Sequence, residues 1–460
     1  MDSDKSRVKM PLFKLINIAL ITAAFAAGWL LYYNKIITIS YQYKGNLAVT
    51  MLFMVLYLLL TNVYEAFAVG VQRRAEQMIS QMLSAFFADG LMYVIICLLY
   101  EWIAPVWPLA LVFLAQCLSI LLWILLVNRW YFSSVPKLPT VLLHDGTSNA
   151  MHLQQEICTD KGLKFINSLK LQDCVRENMA PLEGAEAVFI CAEQSRERSE
   201  VIDYCISRKL KFFVVPSTND MFLSASRHTH MYHMPLLQMH MNQPTLGYLV
   251  LKRLMDIVLS VTALALLWPF MFIIALIIKA YDGGPAFYKQ VRLTKNGKRF
   301  VLIKFRSMRV DAEADGVARL STGDADQRIT PVGKVLRKFR LDELPQILCI
   351  LRGEMSIVGP RPERPEIAEK YEKELPEFKL RLQAKAGLTG YAQVYGKYNS
   401  TPREKLQMDL IYISNPSIIE DLKLMLTTLR VLFIKESTEG FQGELPGKTQ
   451  GSQNSGPMEG

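Results

Sequence analysis

Charge is scarce in this chain. Asp, Glu, Lys and Arg make up 20% of its 460 residues, against 51% hydrophobic residues. That balance excludes a disordered or wholly solvated polypeptide and points to a membrane protein with soluble parts. Paired cysteines are lacking too. None of the seven forms a Cys-x-x-Cys, which excludes the usual zinc sites and a disulfide framework, and all seven read as reduced thiols facing a cytosol. A cleavable leader is not expected either: the first apolar run is too long, and no small-residue cleavage site precedes the next span. The length suits two to three domains. The net charge of +10 suits an anionic membrane surface or anionic substrates. Nucleic acid is not expected, because the basic residues group with acids and membrane segments.

Four apolar stretches come first, at 12–33, 47–69, 86–107 and 109–127, each long enough to span a bilayer. Lys5, Arg7 and Lys9 precede the first, Arg73 and Arg74 separate the second and third, and Arg129 and Lys137 follow the fourth. The opposite loops carry Lys35, Lys44 and Glu101. The positive-inside rule therefore puts both ends of this block in the cytoplasm. A fifth apolar stretch, 254–278, has basic residues on both sides: Lys252 and Arg253 before it, then Lys279, Lys289, Arg292, Lys295, Lys298 and Arg299. Pro269 near its middle removes a backbone donor. The expectation is a re-entrant helix that breaks at Trp268-Pro269 and returns to the same face. A kinked fifth span is the alternative.

Between 139 and 242 the chain turns soluble. Short apolar runs at 141–144, 187–191 and 211–215 predict buried strands, with helices at 152–161 and 200–208 between them. That alternation predicts a Rossmann-like parallel α/β domain. Its first strand is followed by His144-Asp145-Gly146-Thr147-Ser148-Asn149, with one glycine where a dinucleotide site needs a glycine-rich turn, so no cofactor is expected there. His228, His230, His233 and His240 follow. Without a completing carboxylate or cysteine they read as part of a polar linker rather than a metal site.

The chemistry-bearing residues lie after Leu251. Lys304-Phe305-Arg306-Ser307-Met308 follows an apolar strand-like run. Arg328-Ile329-Thr330-Pro331-Val332-Gly333, Leu336-Arg337-Lys338-Phe339-Arg340, Leu341-Asp342-Glu343-Leu344-Pro345-Gln346, the run from Gly353 through Gly359-Pro360-Arg361-Pro362-Glu363, and Ala386-Gly387-Leu388-Thr389-Gly390-Tyr391-Ala392-Gln393 come after it. Asp342 and Glu343 are adjacent acids in a basic stretch. With Pro345 in a first helical turn, Asp342 reads as the N-cap of a helix running into Leu348, kept ionised by the helix dipole and nearby arginines. An ionised carboxylate can attack phosphorus or hold Mg²⁺. Arg361 stands between two prolines, so its guanidinium is aimed at little ordering cost, as phosphate recognition needs. Lys304, Arg306, Arg337, Arg340 and Arg352 add positive charge, which suits a reaction joining two phosphorylated substrates.

This ordered string, from Leu251 to Lys435, resembles the bacterial sugar transferases known as polyprenyl-phosphate glycosyl-1-phosphate transferases, or monotopic phosphoglycosyl transferases. The layout is similar to the long form of that family: a four-helix transmembrane block at 1–133, a Rossmann-like domain at 134–245, and an α/β catalytic domain at 246–437 anchored by a re-entrant helix at 251–280 and by interfacial helices. The residues 438–460, rich in Gly, Ser, Gln and Pro, are expected to be a disordered tail. The resemblance implies that Asp342 attacks the sugar-bearing phosphorus of a UDP-sugar, releases UMP and forms a phosphosugar–aspartyl intermediate, from which undecaprenyl phosphate takes the phosphosugar. It implies Mg²⁺ (or Mn²⁺) at Asp342 and Glu343, with Glu343 as metal ligand or base, and phosphate binding by Lys304, Arg306, Arg337, Arg340, Arg361 and Gln393. It implies Pro269 as the break of the membrane helix, and a bacterial inner membrane protein with its catalytic domain on the cytoplasmic face, starting exopolysaccharide, capsule or O-antigen synthesis. The sequence departs from the family pattern at Cys349, Ala386 and Leu293-Thr294.

The apolar residues Ile419, Leu422, Leu426, Leu429 and Leu432 lie at helical spacing, which fits a core helix or an interfacial helix equally. The segment 393–401, with Tyr395, Lys397, Tyr398 and Asn399, is a candidate selector of the sugar, glucose or galactose by resemblance. A homodimer is an expectation of the same kind. Two rivals remain: an NAD-dependent membrane nucleotide-sugar dehydratase using Tyr248 and Lys252, and a scaffold that has lost catalysis.

Overall fold

The computed structural model describes residues 2–432 apart from 38–39, 71, 147, 161, 225, 232–233, 239–243, 311, 313–325 and 397–399. The expected tail at 438–460 lies outside the described residues. Helix α1 (Asp2–Gly28) continues through a π turn (Trp29–Tyr33) into the short α2 (Asn34–Ile36). It packs with α3 (Tyr43–Val63), α4 (Arg74–Tyr100) and α5 (Trp107–Ser134) into an N-terminal bundle. Phe25 stacks on Phe53 at 4.2 Å in its core, and Trp29 Nε1 donates to Asn46 Oδ1 at 2.8 Å. Only 22–33% of each helix's most apolar stretch is buried, so most of the leucines point outward, as a lipid-facing surface requires. Among the described residues, four helices here and one later are long and apolar enough to cross a membrane.

The second apolar stretch was expected to run to Val69, but α3 ends at Val63 and an irregular loop follows. Backbone carbonyls left there need donors. Gln81 Nε2 donates to Ala66 O at 3.1 Å, and Gln77 Nε2 to Ala68 O at 3.1 Å. These glutamines are why α4 starts twelve residues before the expected 86: its first turns are polar yet buried.

The middle domain is a parallel sheet in the order β2-β1-β3-β4, formed by β1 (Leu138–His144), β2 (Leu163–Lys170), β3 (Ala187–Cys191) and β4 (Lys211–Val214). Helices α6 (Ser148–Thr159), α7 (Leu171–Arg176), α8 (Arg196–Ser207) and α9 (Thr218–Ser224) connect and follow the strands. The parallel α/β pattern is the one predicted, with β2 added. Lys164, Asn167, Ser168 and Lys170 interrupt its apolar residues, so it lacks the continuous apolar run of a buried strand and lies at the sheet's edge. The expected polar linker is in part an antiparallel hairpin of β5 (Arg227–Met231) and β6 (Met234–Gln238). His228 and His230 belong to β5, while His233 and His240 lie outside the described residues.

Helix α10 (Leu246–Asp282) enters the C-terminal domain and is continuous, with Pro269 inside it. The expected interruption at Trp268-Pro269 is not present as a gap in the helix. Thr245 caps its start by accepting from Tyr248 N at 3.3 Å. Its basic and acidic residues hold the domain: Arg253 donates to Ile350 O and Leu351 O at 2.7 and 2.8 Å, and Asp256 accepts from Ile357 N at 3.0 Å. Farther along, Met271 and Ile278 pack with Phe305 and Leu336.

Beyond α10, β7 (Phe287–Leu293) and β8 (Arg299–Phe305) form an antiparallel hairpin. Then come α11 (Pro331–Lys338), a 3-10 turn (Leu341–Gln346), α12 (Ile347–Arg352), β9 (Ser356–Val358), α13 (Pro365–Glu374), a 3-10 segment (Pro376–Gln383), β10 (Gly387–Thr389), α14 (Tyr391–Val394), α15 (Pro402–Ser414) and α16 (Ile418–Leu432). Strands β9 and β10 pair in parallel. Cys349 points into the core among Phe300, Leu302 and Ile350, where a small apolar side chain fits.

Helix α16 buries a different face from the one that its leucine stripe marks. Ile419 and Leu422 are exposed, while Asp421, Leu424, Thr427 and Arg430 are buried between the bundle and the β9–β10 ladder. Polar partners on both sides set which face is covered.

Candidate active site

Asp342 does not cap a helix. Arg340 occupies that position, in the left-handed conformation at φ 53°, and Asp342 lies in the first turn of the 3-10 segment with Pro345 three residues on. The turn packs against β8 through Leu341 and Leu344, which join Phe305 and Leu336 in one apolar cluster. This buries Asp342 to 9% exposure and leaves Glu343 beside it.

Burial is the main cause that raises the Asp342 pKa to about 6, helped by the neighbouring Glu343 charge and opposed by Lys304, Arg337 and Arg361. Desolvation outweighs the cations, so the carboxylate expected to be kept ionised binds its proton more readily than an ordinary aspartate, yet stays mostly ionised at neutral pH. Glu343 behaves oppositely. Burial raises its pKa, but the charge and hydrogen bond of Arg361, with Arg340 and Lys304, outweigh this and hold it below the ordinary value. Arg361 Nη2 donates to Glu343 Oε1 at 2.7 Å. The two adjacent acids are thus pushed apart in acidity, the pattern by which neighbouring carboxylates take different roles.

Lys304 on β8 is a cation strongly affected by its surroundings. Burial lowers its pKa to about 8, against the pull of Asp342, and its ammonium lies 5.2 Å from the Tyr288 ring centroid. Arg337, in the last turn of α11, donates from Nε to Ser307 Oγ at 2.8 Å. Burial also lowers the pKa of Arg340. Lys304, Arg337, Arg340 and Arg361 therefore act on one pair of acids, although they come from a strand, a helix and two turns.

The turn bearing Arg361 is braced from behind. Arg381 Nη2 donates to Arg361 O at 2.8 Å and pairs with the buried Asp409 at 2.8 Å, while Arg292 Nη1 donates to Pro362 O at 3.0 Å. The space behind the turn is only ≈ 10 Å³, room for little more than one water. Arg381 was not singled out in the sequence, and Arg292 was read only as a basic flank of the fifth apolar stretch, because an arginine that braces a backbone looks like one that faces solvent. The approach of this turn to β10 requires glycine, since a Cβ on Gly387 would lie 2.1 Å from Gly359 N.

Two predicted residues are engaged elsewhere. Arg306 is buried: Nη1 donates to Asp282 Oδ2 at 2.7 Å, Nη2 to the other Asp282 oxygen, and Nε to Pro285 O at 2.8 Å. It locks the end of α10 to β8. Gln393 Nε2 donates to Leu388 O at 2.7 Å and holds the Gly390 turn. Of the sugar-selector candidates, Tyr395 stacks near Tyr391, while Lys397, Tyr398 and Asn399 lie outside the described residues. A hollow of ≈ 480 Å³ lined by Asn296, Arg299, Glu369 and Lys379 holds none of the predicted site residues.

Tyr248 and Lys252 face no cofactor crevice. Both bond to Asp421 Oδ2, at 3.0 and 2.9 Å, and both meet Tyr412. The pair on which the dehydratase reading depends is thus taken up in joining α10 to α16.

Comparison with known proteins now bears on this site. Residues 247–435 match the family described as bacterial sugar transferase. The exopolysaccharide production protein PSS of Rhizobium leguminosarum is 40% identical over 201 residues, 42% of this chain and 98% of that one. The chain belongs to the bacterial sugar transferase family. Another family member, the UDP-glucose:undecaprenyl-phosphate glucose-1-phosphate transferase of Caulobacter vibrioides, is 38% identical over 191 residues, 40% of this chain and 71% of that one. The UDP-N-acetylgalactosamine-undecaprenyl-phosphate N-acetylgalactosaminephosphotransferase of Aeromonas hydrophila is 37% identical over 202 residues, 42% of this chain. The match spans about half (47%) of the Aeromonas relative's length. The family region contains the acid pair, all four converging cations and the braced turn.

Proposed function

We propose that this protein transfers a sugar-1-phosphate, a hexose-1-phosphate by the expectation above, from a UDP-sugar to undecaprenyl phosphate at the cytoplasmic face of a bacterial inner membrane, as the first step of polysaccharide synthesis. The observation that carries the reading is Asp342, a buried carboxylate surrounded by Lys304, Arg337 and Arg361 inside the family region. The relatives' names supply the substrate classes, and they differ in the sugar.

In the first step an Asp342 oxygen attacks the sugar-bearing phosphorus, and the bond from that phosphorus to the bridging oxygen breaks. UMP leaves with that oxygen and its electron pair. In the second step a phosphate oxygen of undecaprenyl phosphate attacks the same phosphorus. The phosphorus–aspartate bond breaks, and the Asp342 carboxylate is regenerated. With a pKa of about 6, Asp342 is mostly ionised at neutral pH yet poorly solvated, which favours attack. The cations offset the phosphate charge that gathers in each transition state. Arg361, aimed by its braced turn, binds phosphate while keeping Glu343 ionised.

No group of three or more His, Cys, Asp or Glu side chains that could hold a metal occurs among the described residues. Two adjacent carboxylates nonetheless fit Mg²⁺, which commonly takes one or two carboxylates and completes its shell with water and substrate phosphates. Asp342 and Glu343 would hold it. When bound, Mg²⁺ supplies charge neutralisation of the pyrophosphate.

The re-entrant placement of α10 belongs to the same reading. It is supported by the basic flanks and by the anchoring of both halves of α10 to one domain, through Arg253 and Asp256 near one end and Ile278 near the other. The test is UMP release by purified protein with Mg²⁺, undecaprenyl phosphate and a panel of UDP-sugars, beside Asp342→Asn. Release with one sugar, lost in the variant, is expected. Release that persists in Asp342→Asn overturns the nucleophile, and no release with any sugar overturns the reaction.

A further inference from the structure

Helix α16 has two working faces. On one, Arg430 Nη1 donates to Tyr64 O at 3.0 Å and to Ser80 Oγ at 3.4 Å, and Lys423, two turns earlier on the same face, lies 3.8 Å from Glu65. Tyr64 is the C-cap of α3, so the guanidinium meets the negative end of a helix dipole. Arg430 is 8% exposed, and the bond joins residues 366 apart in sequence. A buried arginine with these partners is a fixed contact, because withdrawing it would leave a desolvated charge unpaired.

The other face carries the active-site turn. Leu424 packs with Val358, three residues before Arg361. The Thr428 and Thr389 hydroxyls share a hydrogen bond of 2.6 Å, and Thr389 O accepts from Gly359 N at 2.8 Å. Asp421 takes Lys252 of α10 at 2.9 Å. One helix therefore ties the N-terminal bundle, the long apolar helix and the Pro360–Pro362 turn into one unit.

We propose that Arg430 is a positioning residue: by clamping α16 to the loop after α3, it sets the depth at which the acid pair meets a phosphate carried by a membrane lipid. The inference rests on the proposed function. A water-soluble nucleotide sugar reaches the site at any depth, whereas a lipid phosphate is confined to one plane. Loss of the clamp therefore acts on the acceptor and spares the donor.

The experiment uses the full chain reconstituted in phospholipid nanodiscs. UMP release is measured against undecaprenyl phosphate and against the UDP-sugar, for the wild type, Arg430→Gln and Arg430→Lys. Arg430→Gln is expected to raise the KM for undecaprenyl phosphate about tenfold and to leave the donor KM within about twofold. Arg430→Lys, which keeps the charge, is expected to recover most of the difference. An unchanged acceptor KM overturns the proposal, and so does a rise of both KM values together or a fall in kcat alone, which marks a general structural role. If Arg430→Gln does not fold, the double variant Glu65→Gln with Ser80→Ala removes partners from the opposite side. It is expected to show the same split, and an unchanged acceptor KM there overturns the proposal. A wild type that releases no UMP overturns the functional reading itself.

Discussion

Arg361 and Glu343 form a direct ion pair beside Asp342, 2.7 Å from Nη2 to Oε1. On the proposed mechanism the pair gives Arg361 two tasks, phosphate binding and control of Glu343. Arg361→Ala should reduce kcat/KM for UMP release by about 10²-fold or more. It should also shift the acid limb of the pH profile upward, because Arg361 lowers the pKa of Asp342 as well as that of Glu343. A parallel loss at all pH values would separate Arg361 from both acids. Arg361→Lys should recover little, since a point charge does not reproduce the planar fork.

The pH profile of the wild type follows from two groups. On the proposed mechanism Asp342 attacks when ionised, with a pKa of about 6, and the Lys304 ammonium stabilises phosphate when protonated, with a pKa of about 8. The rate of UMP release should peak between these values and fall on either side. A profile flat from about pH 5 to 9 would contradict both roles.

Stability carries the same signature with the opposite sign. The folded-state pKa of Asp342 is raised, so folding favours its protonated form. Its contribution is fully favourable below the unfolded pKa near 4 and is lost as pH rises through about 6. Asp342→Asn, neutral at every pH, should therefore stabilise the protein by up to about 3 kcal/mol at pH 7–8 while abolishing UMP release. Thermal unfolding of both proteins at pH 4.5 and 7.5 checks this. The advantage of the variant should shrink at the lower pH.

Arg306 and Asp282 offer a contrast. Removing either partner leaves the other without its ion pair, Arg306 being buried. Arg306→Met should lower the melting temperature by roughly 5 °C or more, with no selective change in the KM for the UDP-sugar. A selective rise in that KM with normal stability would return Arg306 to phosphate binding.

Gly387→Ala tests the brace behind Arg361. The added methyl would meet the Gly359 backbone, which has no flexible side chain to move aside. A loss of about 3 kcal/mol and of most activity is expected, read by chemical denaturation and UMP release.

The sequence by itself determined much of this protein. Unbroken apolar stretches marked the membrane helices because a bilayer accepts little else, and short apolar runs separated by helical ones marked the parallel sheet of the middle domain. The acid pair, the turn around Arg361 and the basic runs stood in a linear order specific enough to name the family. These signals are local, since each is set by composition or by neighbours a few residues away. The tertiary structure decided what depends on partners distant in the chain. It gave Arg306 to Asp282, closed Tyr248 and Lys252 around Asp421, and used Arg292 and Arg381 to hold a backbone. It pushed the acidities of Asp342 and Glu343 apart through unequal access to Arg361, though the two are adjacent in sequence and both are raised by burial. It also placed Arg430 against a carbonyl 366 residues away. An arginine has the same letter whether it binds phosphate, pairs with a buried acid or caps another helix. Only the surrounding fold, by fixing which acceptor it reaches and how much water remains, distinguishes these roles.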